Sequence, residues 1–310
     1  MQRIRPIVRT FFTVAACAMT LLPLARAAET GACRTLEHRF TTGKAAGLSA
    51  VEMSLLLFSA ADNGCSPLAT DLIDAGASID ARDRLGARPL THAARAGHTA
   101  LAITLLTRGA PINARNLAGA TALYAAVEAN RTATAGELIA RGADIHLGGK
   151  DEVTPLAVAA FNGNDGIAEL LLTSGARPDA LDTTGKTPIC YAAGRAAVAL
   201  VARLLDTGID VNARYGNDLT VLMWAAGHDE RFPAAEGVKT AALLLERGAR
   251  LEDHDNRGRT ALMIAAESNH AAMIEFLLSK GADASARDAA GKTAVDLTTR
   301  TALKERLAKK

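Results

Sequence analysis

A glycine recurs along this chain at Gly76, Gly109, Gly142, Gly175, Gly208, Gly248 and Gly281, in steps of 33, 33, 33, 33, 40 and 33 residues. A second ladder keeps the same spacing: Arg88-Pro89-Leu90, Thr121-Ala122-Leu123, Thr154-Pro155-Leu156, Thr187-Pro188-Ile189, Thr220-Val221-Leu222, Thr260-Ala261-Leu262 and Thr293-Ala294-Val295. Two ladders with one period restrict the chain to a repeat architecture, because a unit this short buries its apolar face only by stacking on its neighbours.

Each unit reads as a pair of helices. A Thr caps a short helix whose Leu and paired Ala residues, such as Leu156, Ala159 and Ala160, recur at helical spacing. A turn at Gly97 or Gly163 leads to a second helix that ends in an apolar run, Leu170-Leu171-Leu172 or Leu243-Leu244-Leu245. The glycine that follows stands where a helix needs a left-handed terminating residue. A stretch such as Ala110 to Arg115 then passes through an Asp, Asn or Gly turn into the next unit. Apolar residues make up 49% of the chain but aromatics only 4%, which suits thin helical layers built from small side chains.

The pattern resembles the ankyrin repeat, with its 33-residue unit and Thr-Pro-Leu-His-x-Ala signature. The resemblance covers residues 47–310: a degenerate opening unit around Leu57 to Gly76, six full units, and a closing cap from Gly291 ending in Lys304-Glu305-Arg306. It implies an all-α solenoid of stacked helix-turn-helix units with projecting hairpin loops, and a role in binding another protein. Two departures stand out. The signature His is replaced throughout, by Thr91, Tyr124, Ala157, Cys190, Met223 and Met263, and the glycine of each hairpin is lost at Glu152 and Asp218, so those two loops are expected to differ in shape.

The start of the chain has the marks of an export signal. Residues 1–27 hold Arg3, Arg5, Arg9 and Arg26 and no acid, around an apolar stretch from Phe11 to Leu24 and small residues at Ala25 and Ala27. We expect cleavage after Ala27, leaving 28–46 as an N-terminal segment ahead of the repeats. A lipid-anchored alternative at Cys17 would leave a very short apolar segment after Arg9. Without the four arginines the chain has 31 basic and 33 acidic residues, which gives no electrostatic reason to expect nucleic acid. No later segment is long and apolar enough to span a bilayer. The expected location is periplasmic or secreted, where disulfides persist. Cys33 and Cys65 are the expected pair, and Cys190, inside an apolar run, is expected to be a buried, inert thiol.

The candidate binding residues cluster in two units. Positions two after each Leu, and four further on, are expected to line the concave face; they include Tyr191 with Arg195 and Trp224 with His228. Tyr215 stands in the loop before Trp224. The 40-residue step places seven extra residues between the helices of the same unit, in the segment Gly227 to Gly237, which brings Phe232. Tyr, Trp and Arg dominate interface hot spots, and the alternative for the two large rings is simple packing between helices. Arginines near the hairpins (Arg82, Arg84, Arg115, Arg214, Arg257, Arg287) are read as a solvated rim paired with local acids.

Catalytic patterns are poor. Gly185-Lys186-Thr187 and Gly291-Lys292-Thr293 lack the earlier glycine of a phosphate-binding loop, with Ala180 and Ala286 in its place, and both copies fall on the repeat register. The seven His show no paired metal-ligand spacing, and no Ser or Cys sits in a nucleophile setting. We expect no enzyme activity, cofactor or metal; an enzyme would have to lose turnover on mutation of His228 or Asp229. The expectation is a monomeric binding module that scaffolds or protects an exported enzyme. The alternatives are an inhibitor or immunity protein that blocks a cell-wall hydrolase or toxin, with the insertion as plug, and a secreted effector that binds host proteins.

Overall fold

The structure is a computed structural model that describes residues 31–228 and 230–308; the expected export signal lies outside them. Helix α1 (Gly31–Ala46) precedes the first pair, α2 (Ala50–Asn63) and α3 (Ser66–Asp74). Six further pairs follow: α4 (Pro89–Ala96) and α5 (Thr99–Thr107), α6 (Ala122–Glu128) and α7 (Thr132–Ala140), α8 (Pro155–Asn162) and α9 (Asp165–Thr173), α10 (Pro188–Gly194) and α11 (Val198–Leu205), α12 (Val221–Ala226) and α13 (Ala234–Glu246), α14 (Ala261–Glu267) and α15 (Ala271–Ser279). The short α16 (Ala294–Leu297) and α17 (Thr301–Leu307) close the stack. First helices pack on first helices and second on second, each unit meeting its neighbours.

The ladder residues explain the helices. The hydroxyl of Thr121 accepts the Tyr124 N–H at 3.1 Å and that of Thr154 the Ala157 N–H at 3.2 Å, each satisfying an orphan donor of the first turn. Prolines at 89, 155 and 188 sit at the first helical position, where the missing N–H costs nothing. Leu156, Ala159 and Ala160 are fully buried, and small alanines let successive helices approach closely. Of the run Leu170-Leu171-Leu172 only Leu171 is fully buried; its neighbours cover the edges.

Of the expected N-terminal segment, residues 31–46 form more than a loose lead-in, since α1 is a regular helix from Gly31 that buries Cys33, Leu36 and Phe40 against α2 and α3. Cys33 and Cys65 form a disulfide, with Cα atoms 5.5 Å apart, that fastens this helix to the opening unit. Cys190 is buried, and burial pushes its thiol up to about 11.

The hairpins follow one column of residues. Asp83, Asn116, Asp182, Asp255 and Asp288 each accept two backbone N–H groups, two and four residues on, through one side-chain oxygen. The second oxygen of Asp83 bonds His92 Nε2 at 3.0 Å, that of Asp182 accepts the Tyr191 hydroxyl, and that of Asp255 accepts Arg259 Nε at 3.0 Å. Asn116 faces a unit with Ala125 in the position of His92, and there the turn residue is neutral. In the two units where Gly149 and Tyr215 break this column, Asp151-Glu152 and Asn217-Asp218 take up left-handed backbone, φ between 57° and 62°. These are the two loops whose shape the lost glycine was expected to change.

Successive hairpins are tied by main-chain bonds, Leu117 N to Leu85 O at 2.9 Å, Thr183 N to Asp151 O at 2.9 Å and Gly216 N to Gly185 O at 2.8 Å. Where Asn116 and Lys150 lack such a bond, the Arg115 guanidinium bridges, donating to Gly119 O at 2.8 Å and Gly148 O at 2.9 Å. Arg214 donates to His254 O at 2.5 Å, beside the main-chain bond from Asn256 N to Asn217 O at 3.1 Å that ties the same two hairpins. These arginines therefore staple neighbouring loops, which the solvated-rim expectation overlooked.

Candidate binding groove

A groove of about 400 Å³ opens on the first-helix side of α8, α10 and α12. Tyr191, Arg195, Trp224 and Phe232 line it, together with Phe161 and Lys186, which the sequence reading did not single out. The cause of the hollow is legible in the register. Five residues after each ladder Leu stand Arg95, Glu128, Phe161, Gly194, Gly227 and Glu267, so two adjacent units present no side chain where the others carry a long one. The column was missed because only positions two and six after the Leu were expected to face inward.

The walls are aromatic and the charges positive. Phe161 meets Tyr191 edge to face at 6.2 Å. The Arg195 guanidinium lies 4.5 Å from the centre of the Phe232 ring and donates to Phe161 O at 2.9 Å. Lys186 Nζ stands 5.3 Å from the Tyr191 ring and 5.7 Å from the Trp224 ring. Trp224 Nε1 is buried without a hydrogen-bond partner, a cost of about 1–3 kcal/mol.

Lys186 owes its freedom to Tyr191. It stands four residues after Asp182, as Arg259 stands four after Asp255. Arg259 bonds its aspartate, but the Tyr191 hydroxyl occupies the corresponding oxygen of Asp182. Burial pushes the Tyr191 hydroxyl up and the bond to Asp182 reinforces this, so it stays a donor. Burial pushes the Asp182 carboxyl up as well, yet the bonds from Thr184, Tyr191 and the Lys186 N–H outweigh it and hold the carboxyl below its usual range. Lys186 forms no ion pair among the described residues, whereas Arg203, on the outer helices, pairs with Glu169 at 2.8 Å.

Two sequence candidates lie elsewhere. Tyr215 is half-buried in the hairpin ahead of α12 and does not line the groove. His228, expected on the concave face, is only 3% exposed: its ring packs on His270 at 4.4 Å and its Nδ1 lies 3.2 Å from Ala225 O. The insertion explains this, because four of its residues, Ala234 to Gly237, add a turn to the start of α13, which lies over the imidazole. The insertion is thus only partly a projecting loop, and its Phe232 folds back onto Arg195.

A Cβ on Gly237 would come within 2.7 Å of the His228 ring. Gly237→Ala gains helix propensity of about 1 kcal/mol, but crowding a ring already pressed on His270 costs about 1–3 kcal/mol. We expect a net loss of about 1 kcal/mol in urea unfolding followed by Trp224, the single Trp of the chain; a more stable variant would show that the imidazole moves aside.

Stacked helical pairs with bonded hairpins and a groove across their inner helices define a helical repeat solenoid of the binding kind. The chain belongs to the ankyrin-repeat family: the model for ankyrin repeats (3 copies) matches residues 57–148, 132–215, 156–239 and 215–288. It is similar to ankyrin repeat domain-containing protein 63 of Homo sapiens and of Mus musculus, in each case 39% identical over 87 residues, 28% of this chain. The match spans 22% of the human and 21% of the mouse protein. Ankyrin repeats generally mediate contacts between proteins. No helix among the described residues is long and apolar enough to cross a membrane.

Proposed function

We propose that this chain is a non-catalytic, monomeric binding module, exported to the bacterial envelope by residues 1–27, which holds a protein partner in the groove between α8 and α12. The observation that carries this reading is the groove itself: four aromatic rings and two cations converge where Gly194 and Gly227 leave room, on a scaffold whose loops are bonded unit to unit. A preformed surface loses little freedom on binding, and Trp, Tyr and Arg are its strongest anchors. Scaffolding or protection of an exported enzyme fits better than plugging an active site, because Phe232 is turned inward onto Arg195 and does not project.

The test is capture of partners from an envelope fraction by the full mature chain, set beside two variants. Tyr191→Ala with Trp224→Ala removes the anchors, with an expected loss of at least a hundredfold in affinity. Gly194→Leu fills the hollow without disturbing the scaffold, since a Cβ there meets nothing within 4 Å; its helix content is expected to stay intact while capture disappears. A partner retained equally by all three proteins would move the site away from the groove, and retention of none by the wild type would favour a partner outside the producing cell.

A further inference from the structure

We infer that the segment taken up by this groove is an extended acidic peptide stretch carrying a bulky apolar side chain, an inference that rests on the groove being the binding site. Aromatic walls ordinarily attract cations, which would favour a basic partner. Here the ring faces are already served: Lys186 stands over Tyr191 and Trp224, and Arg195 over Phe232. A second cation would meet like charge on both sides, and none of the described residues lining the hollow is a carboxylate that could receive it. Asp182, bonded to Tyr191, is buried with its oxygens engaged by Thr184, Tyr191 and the Lys186 N–H.

Among the described residues the groove carries two cations and no anion, so carboxylates of the partner would complete Lys186 and Arg195 by charge-assisted bonds. The apolar side chain enters between the Tyr191, Trp224 and Phe232 rings, whose polar donors are spent or buried and which offer it the carbon surface that the two cations leave uncovered. Stacking rings beside cations also suit single-stranded nucleic acid. The balance of 31 basic to 33 acidic residues beyond position 27 favours the peptide.

The experiment selects displayed random twelve-residue peptides on the full chain, then measures synthetic copies of the enriched sequences by fluorescence anisotropy. The expected winners carry Asp or Glu beside Phe, Leu or Trp, weaken with added salt, and lose at least tenfold in affinity against Lys186→Glu and against Arg195→Glu. Lys186→Gln, which keeps the length of the side chain without its charge, is expected to fall between, with helix content of each variant verified by circular dichroism. Basic or neutral winners, no enrichment at all, affinity unmoved by both reversals, or tighter binding of a ten-residue oligothymidine would each overturn the inference. Its failure is separable from that of the binding site: if Gly194→Leu abolishes partner capture while the winners are not acidic, the groove stands and only the partner's chemistry is wrong.

Discussion

Replacing Cys33 and Cys65 with serine is expected to remove about 3–4 kcal/mol of stability from the opening of the solenoid, and reduction of the wild type is expected to do the same. The bond closes a loop with a sequence separation of 32, and the chain-entropy account assigns a loop of that size about 3–4 kcal/mol. Helix α1 has little else to hold it: Leu36 and Phe40 are its other buried apolar side chains, at the open end of the stack. Repeat proteins gain stability chiefly between neighbours, so the loss is local before it is global. Amide exchange is expected to rise first in α1 and α2 and to change little around Trp224, five units away. A uniform rise along the chain would contradict nearest-neighbour coupling, and no change on reduction would show that Leu36 and Phe40 suffice to dock α1.

The period made the fold readable, because 33-residue spacing leaves so few ways to bury Leu90, Leu123 and Leu156 together. The limits of that reading lie in the residues off the period. Cys33, Leu36 and Phe40 carry helical spacing, but a single helix with no repeat partner leaves no ladder to notice. The groove was half legible: Tyr191, Arg195, Trp224 and Phe232 were found from residue type and register, while Phe161 and the hollow arise from two glycines, which draw attention as turns before they do as missing side chains. Lys186 was set aside with the Gly-Lys-Thr string, and its role follows only once Tyr191 is seen to take the oxygen of Asp182. His228 was misplaced because position alone says nothing of the extra turn of α13 above it.

The hairpin column yields the second large effect. Asp255 is 3% exposed and Arg259 6%, and they are joined by Nε at 3.0 Å and Nη2 at 2.8 Å; the other oxygen of Asp255 accepts the N–H groups of Arg257 and Arg259. The guanidinium also reaches Glu267 on α14. Asp255→Ala deletes both sets of bonds and leaves a buried cation with Glu267 alone, and breaking a buried pair from one side costs about 3–5 kcal/mol. Asp255→Asn keeps the oxygen that organises the turn but sets an amide against the guanidinium, so a loss of intermediate size is expected. The control is Arg259→Met in the Asp255→Ala background: removing the stranded charge should return part of the stability, because most of the cost belongs to the unpaired cation and the rest to the turn. Urea unfolding read by Trp224, one unit away, gives the order wild type, Asn, double variant and Ala, with the middle two close. An Ala variant within 0.5 kcal/mol of the wild type, roughly the scatter of a neutral surface change, would mean that Glu267 alone satisfies Arg259 and that the column of turn acids shapes loops without holding the helices to them.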